Sequence, residues 1–113
     1  MTPRRKKLAQ LARLARVKAD IAKVGAAETR RSLDALNAEA ACLRAERSVI
    51  AGQTADPADA MTAARWLSAC DAKLRVLALK EASLRADHEI RLDRARQAEG
   101  RRQVLTRLSD QAS

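Results

Sequence analysis

A single short break interrupts an otherwise helical text. Residues 52–57, Gly-Gln-Thr-Ala-Asp-Pro, are the only stretch with turn chemistry. Gly52 suits the left-handed position that ends a helix. Pro57 suits the first position of a new helix, with Asp56 as its N-cap. The break falls near the middle of the 113 residues. Two long helices joined there must fold back on each other. The sequence therefore predicts an all-α fold, an antiparallel coiled-coil hairpin over residues 1–113. Helix 1 is expected over about 3–51, opened by Thr2 as N-cap and Pro3 as first residue. The turn takes 52–56 and helix 2 about 57–109. At a rise of ~1.5 Å per residue, helix 1 would run roughly 70 Å. A bare hairpin offers no cleft, so the expected function is contact and not catalysis.

Composition agrees. Alanine, leucine, arginine, lysine and glutamate dominate, which favours helix. The chain has one Trp and no Tyr or Phe, too few aromatics for an ordinary globular core. Net charge is +9, from 23 Lys and Arg against 14 Asp and Glu. Such an excess points to an acidic partner, a nucleic acid or an anionic membrane. It is also uneven: residues 1–24 carry +7, 84–113 carry +2, and 25–83 sum to zero. A hairpin brings both termini together and collects this charge at its open end.

Two seams are readable. In helix 1, Leu33, Leu36, Ala40, Leu43 and Ile50 recur at alternating three and four, with Arg47 in the remaining slot. In helix 2, Leu67, Cys70, Leu74, Leu77 and Leu84 do the same. Toward the termini the pattern loosens. Leu8, Leu11, Leu14, Val17, Ile21 and Val24 form a stripe out of phase with Leu33, and the shift near Gly25 to Glu28 reads as a stutter. Ile90, Leu92, Val104, Leu105 and Leu108 drift likewise in helix 2. A fold-back centred near residue 56 pairs positions summing to about 112. That sets Cys42 against Cys70, Gly25 near His88, and Leu36 against Val76 and Leu77. A second stripe, Ala72, Val76, Leu79 and Ser83, instead points away from the seam and is flanked by Trp66. The two placements of Val76 compete. A two-helix layer of this kind is expected to be marginally stable and to need a partner.

Signals for chemistry are weak. His88 has Leu84, Arg85, Arg91 and Leu92 as helical neighbours, so it reads as a packed histidine and no metal site is expected. Cys42 and Cys70 show no metal or redox spacing, and a buried structural pair in a reducing cytoplasm is the expectation. No phosphate loop or catalytic triad is readable, and no cofactor is implied. No run approaches the ~18 apolar residues needed to span a bilayer. The basic, acid-poor start is similar to a mitochondrial presequence, but its helical pattern runs on without a cleavage-like break.

Taken together, these features resemble the FliJ family, the small stalk protein of the flagellar and type III secretion export ATPase. The resemblance rests on the basic hairpin, the opening Lys7-Leu8-Ala9-Gln10-Leu11-Ala12-Arg13-Leu14, the mid-chain polar loop, and Trp66 in Ala64-Arg65-Trp66-Leu67-Ser68-Ala69-Cys70. It implies a cytoplasmic, non-enzymatic coiled-coil stalk, peripheral to the inner membrane at the export apparatus. Such a stalk sits in the central pore of the hexameric export ATPase, promotes its assembly and links it to the export gate protein. Family members also bind export chaperones. The basic residues expected to face the ATPase are Arg4, Arg5, Lys6, Lys7, Arg13, Arg16, Arg101, Arg102 and Arg107. The gate-facing surface would hold Trp66, Ala72, Val76, Leu79 and Ser83, with small side chains at Ala72 and Ser83. The alternatives are a basic coiled coil that binds nucleic acid, weakened by the missing aromatics, or a structural dimer paired through the outer stripe.

Overall fold

A computed structural model describes residues 2–53 and 57–112. The chain is all-α, a hairpin of two long helices, α1 (Pro3–Ala51) and α2 (Pro57–Gln111). The start of α1 follows from its sequence. Thr2 Oγ1 accepts from the Arg5 N–H at 3.3 Å, and Pro3 takes the first helical position, where no N–H is needed. The expected Asp56 cap lies outside the described residues.

The end of α1 corrects one expectation. No glycine among the described residues adopts positive φ, so Gly52 is not a left-handed cap. The last turn tightens instead. Gly52 N–H is shared between Ser48 O (3.3 Å) and Val49 O (3.2 Å), and Gln53 N–H reaches Ile50 O at 3.1 Å. These short-range bonds satisfy the terminal carbonyls that a left-handed residue would otherwise serve.

The chain divides into two compact units: a terminal unit of Met1–Arg30 with Ala86–Ser113, and a central unit of Arg31–Arg85. The central unit follows the leucine seam. Leu33, Ala40, Cys70 and Leu77 are buried, and Leu36, Leu43, Arg47, Ile50, Leu67 and Leu74 are half-buried. Arg47 occupies a seam position by forking onto Asp71, Nε to Oδ1 at 2.7 Å and Nη2 to Oδ2 at 3.3 Å. Its guanidinium holds the Asp71 carboxyl below its ordinary value, mainly through that hydrogen bond. Cys70 Sγ donates to the Leu43 carbonyl at 3.6 Å, while Cys42 is exposed. The two cysteines therefore do not form the buried pair expected. Val76 is also exposed, so the outward placement of its stripe is the one observed.

The terminal unit departs further. Its α1 segment turns Leu8, Ala12, Ala15, Ala19, Ala22, Ala26 and Thr29 inward, alternating four and three without a break. Its α2 segment turns His88, Arg91, Ala95, Ala98, Arg102 and Leu105 inward on the same repeat. There is no stutter at Gly25 to Glu28. A continuous helix keeps the face it buries unless residues are inserted into its repeat, and none are. The seam is alanine, with Ala19 at 0% exposure. Leu11, Leu14, Val17, Ile21 and Val24, expected to form the seam, are exposed, as are Ile90, Val104 and Leu108.

Cross-links fix the register. Thr29 Oγ1 lies 2.7 Å from His88 Nδ1, and Arg91 Nη1 donates to Gly25 O at 3.1 Å. These pairs sum to 117 and 116, five and four beyond the expected 112, so the register of this unit is shifted by about one helical turn. Gly25 consequently meets Arg91 and not His88. A Cβ at Gly25 would stand 3.8 Å from Arg91 Nη1, an ordinary contact. His88 is packed, as expected. The Thr29 hydroxyl donates back to Ala26 O at 2.9 Å, so its lone pair is left to accept from Nδ1–H. That assignment places the ring proton on Nδ1.

Candidate docking faces

All nine residues expected to face an ATPase lie in the terminal unit. That unit holds fifteen Lys and Arg against seven Asp and Glu, a net of +8; the central unit holds eight against seven. The concentration arises from the fold-back, which puts residues 4–23 and 91–107 on one body. Arg4, Lys6, Lys7, Arg13, Arg16, Arg101 and Arg107 are exposed, and Arg5 is half-buried. Among the described residues, Arg13, Arg16, Arg101 and Arg107 have no carboxylate at ion-pair distance.

Arg102 differs from the other eight. It is an inward position, and it grips Glu99 through Nε at 2.9 Å and Nη2 at 2.6 Å. Lys23 Nζ reaches the same carboxylate at 2.9 Å. The Arg102 and Lys23 hydrogen bonds hold Glu99 down to about 2. Arg102 and Lys23 thus spend much of their charge inside the unit and offer less of it to a partner. Arg91 is engaged as well, on Gly25 O, on Glu28 at 3.6 Å and on Asp87 at 3.2 Å.

The gate-facing residues fall in the central unit. Ala72, Val76, Leu79 and Ser83 are all exposed, with Val76 at 50% and Leu79 at 74%. Their spacing of four, three, four makes one line along α2. Trp66 stands apart from this line. It is half-buried and lines a shallow cleft with Ile50, Gln53, Asp59, Thr62 and Ala63. The outer stripe and the tryptophan are therefore neighbours on one element without forming one surface of equal exposure.

Hydrophobicity alone misassigned one group of residues. Leu11, Leu14 and Ile21 belong to an exposed face of the basic unit and not to its core. The signal that locates them is the repeat itself. Counting back from Leu33 in alternating steps of four and three reaches Thr29, Ala26, Ala22, Ala19, Ala15, Ala12 and Leu8, leaving those residues outside.

Among the described residues no group of His, Cys, Asp and Glu could hold a metal ion, and no helix is long and apolar enough to cross a membrane. No protein-family model, curated protein or solved structure matches the chain.

Proposed function

We propose that this chain is a non-enzymatic coiled-coil stalk for a hexameric flagellar or type III export ATPase. In this reading it sits in the central pore, promotes ring assembly and links the ring to the export gate protein, with export chaperones as further partners. Its place is cytoplasmic, peripheral to the inner membrane. The observation that supports it is the segregation of charge, +8 on the terminal unit against +1 on the central one. A pore lined with carboxylates would draw in the terminal unit and not the central unit. Arg4, Lys6, Lys7, Arg13, Arg16, Arg101 and Arg107 supply the exposed charge. Charge complementarity of this kind sets encounter rate and salt sensitivity more than final affinity. Because a two-helix unit has no six-fold symmetry, six identical subunits would meet its cations at different angles and become inequivalent. Val76 and Leu79, exposed on the central unit, supply the apolar contact for the gate.

Mixing the purified protein with an export ATPase at low salt tests this reading. Hexamer formation and ATP hydrolysis should both rise, and the rise should shrink with added salt. Arg13→Glu with Arg16→Glu should abolish it. No change in either readout at low salt would overturn the proposal. Tight, salt-sensitive binding to plain duplex DNA with no effect on the ATPase would favour a nucleic-acid-binding coiled coil instead.

A further inference from the structure

One side of the terminal unit is a groove whose two walls carry a single repeat. On α1 the lining positions include Leu11, Leu14, Lys18, Ile21 and Gly25, spaced three, four, three, four, with Ala15 and Ala22 of the seam at the floor. On α2 they include Asp87, Arg91, Arg94, Ala98, Arg101 and Leu105, alternating four and three. This is the spacing that a facing helix needs to seat its side chains between those of its neighbours. The alanine seam makes the groove possible. Small residues let two helices approach closely, and the large residues beside them are left on the outer shoulders.

The shoulders are apolar and cationic together. Ile21 is 66% exposed and Leu14 51%, so the groove presents aliphatic surface to water. Lys18, Arg94 and Arg101 stand among these residues, and among the described residues none of the three has a carboxylate at ion-pair distance. Arg91 is already bound by Glu28 and Asp87, so three cations remain for a ligand. A second copy of this chain would bring one unit of net charge +8 against another. Like charge at that density opposes self-pairing.

We infer that this groove is the docking site for an acidic amphipathic helix of another protein, which completes a three-helix layer. From Leu11 to Gly25 the groove runs fourteen residues of α1, or about 21 Å at 1.5 Å per residue. It therefore takes about four turns of ligand helix. The ligand carries leucine-like residues on a three-four repeat over Leu11, Leu14 and Ile21. Glutamates or aspartates flank that stripe and meet Lys18, Arg94 and Arg101. The inference goes beyond the ATPase stalk reading and does not depend on it.

The test uses the full chain and a synthetic peptide of three heptads with Leu at a and d and Glu at e and g. Its own glutamates repel one another and keep it from self-pairing. A twin peptide carries Lys at e and g. In fluorescence anisotropy at low salt, the acidic peptide should bind at least tenfold more tightly than the lysine twin. Leu14→Ser with Ile21→Ser should weaken it at least tenfold while helical circular dichroism stays unchanged, since both residues are exposed. Lys18→Glu with Arg101→Glu should reverse the preference between the two peptides. Equal binding of both peptides, or indifference to the groove substitutions, overturns the inference. So does a concentration-dependent dimer that Ile21→Ser abolishes, which would make a second copy the occupant. Binding to phosphatidylserine vesicles, lost in Ile21→Ser and without peptide binding, would assign the face to a membrane instead. No ATPase enters these measurements, so their failure leaves the stalk reading to its own test.

Discussion

Ala19 and Ile21 lie two residues apart and test which face of α1 is the core of the terminal unit. Ala19 is fully buried, and Ile21 is 66% exposed. Ala19→Leu inserts a branched chain into a seam of alanines, and overpacking of this sort costs about 1–3 kcal/mol. Ile21→Ala removes a side chain that is only about one-third buried. With full burial worth about 1.5–3 kcal/mol, the loss is at most about 1 kcal/mol. Alanine's better helix propensity returns up to about 0.7 kcal/mol, so the net change lies close to zero. Urea unfolding followed at 222 nm should show a clear fall in midpoint for Ala19→Leu, of order 1 M if the slope is about 1–3 kcal/mol per molar. Ile21→Ala should leave the midpoint nearly where it was. If the large aliphatics formed the seam, the ranking would invert. Ile21→Ala would then cost about 2–5 kcal/mol, as core truncations do, and Ala19→Leu would be harmless. That inversion would refute the alanine seam, and with it the docking groove.

Four further outcomes follow from particular side chains. Thr29→Val keeps the shape and β-branching of the side chain but leaves the buried His88 Nδ1 without its partner, which should cost about 1–3 kcal/mol in the same urea assay. In the unmodified chain, nitrogen NMR of His88 should show the ring proton on Nδ1. Glu99 is held below its unfolded value by Arg102 and Lys23, so its contribution to stability is present above about 4.5 and is lost as pH falls toward about 2. Carbon NMR titration should find its midpoint near 2, and Arg102→Ala should raise it toward 4.5. Cys42 is exposed and Cys70 buried, so a thiol reagent should modify one cysteine rapidly and the second only on unfolding.

Much of the fold can be read from single residues. Thr2-Pro3 states where α1 begins, Pro57 is where α2 begins, and the leucines from Leu33 to Leu77 state the seam of the central unit. These signals are local or strongly periodic. The terminal unit is harder because its seam is built from weakly hydrophobic residues. Hydrophobicity ranks Leu14 and Ile21 above Ala15 and Ala19, whereas the helical repeat places the alanines inside. His88, Arg91 and Arg102 at inward positions are polar, and their partners Thr29, Gly25 and Glu99 lie far away in sequence or within one turn. Neither pattern nor propensity reveals such pairs. Gly52 misleads for another reason: a glycine permits a left-handed cap without requiring one, and the last turn of α1 tightens instead. The basic face was readable because summing charge needs no register. Which of its cations are free, and that an aliphatic groove runs among them, depends on the register and so on the structure.

In the stalk reading proposed above, the terminal unit enters an acidic, ring-shaped partner. Hydrogen exchange on the protein, free and bound to a hexameric export ATPase, tests it most directly. Exchange should slow in 4–24 and 94–107 on binding and change little in 70–84. Protection confined to 70–84, or no protection at low salt, would contradict it.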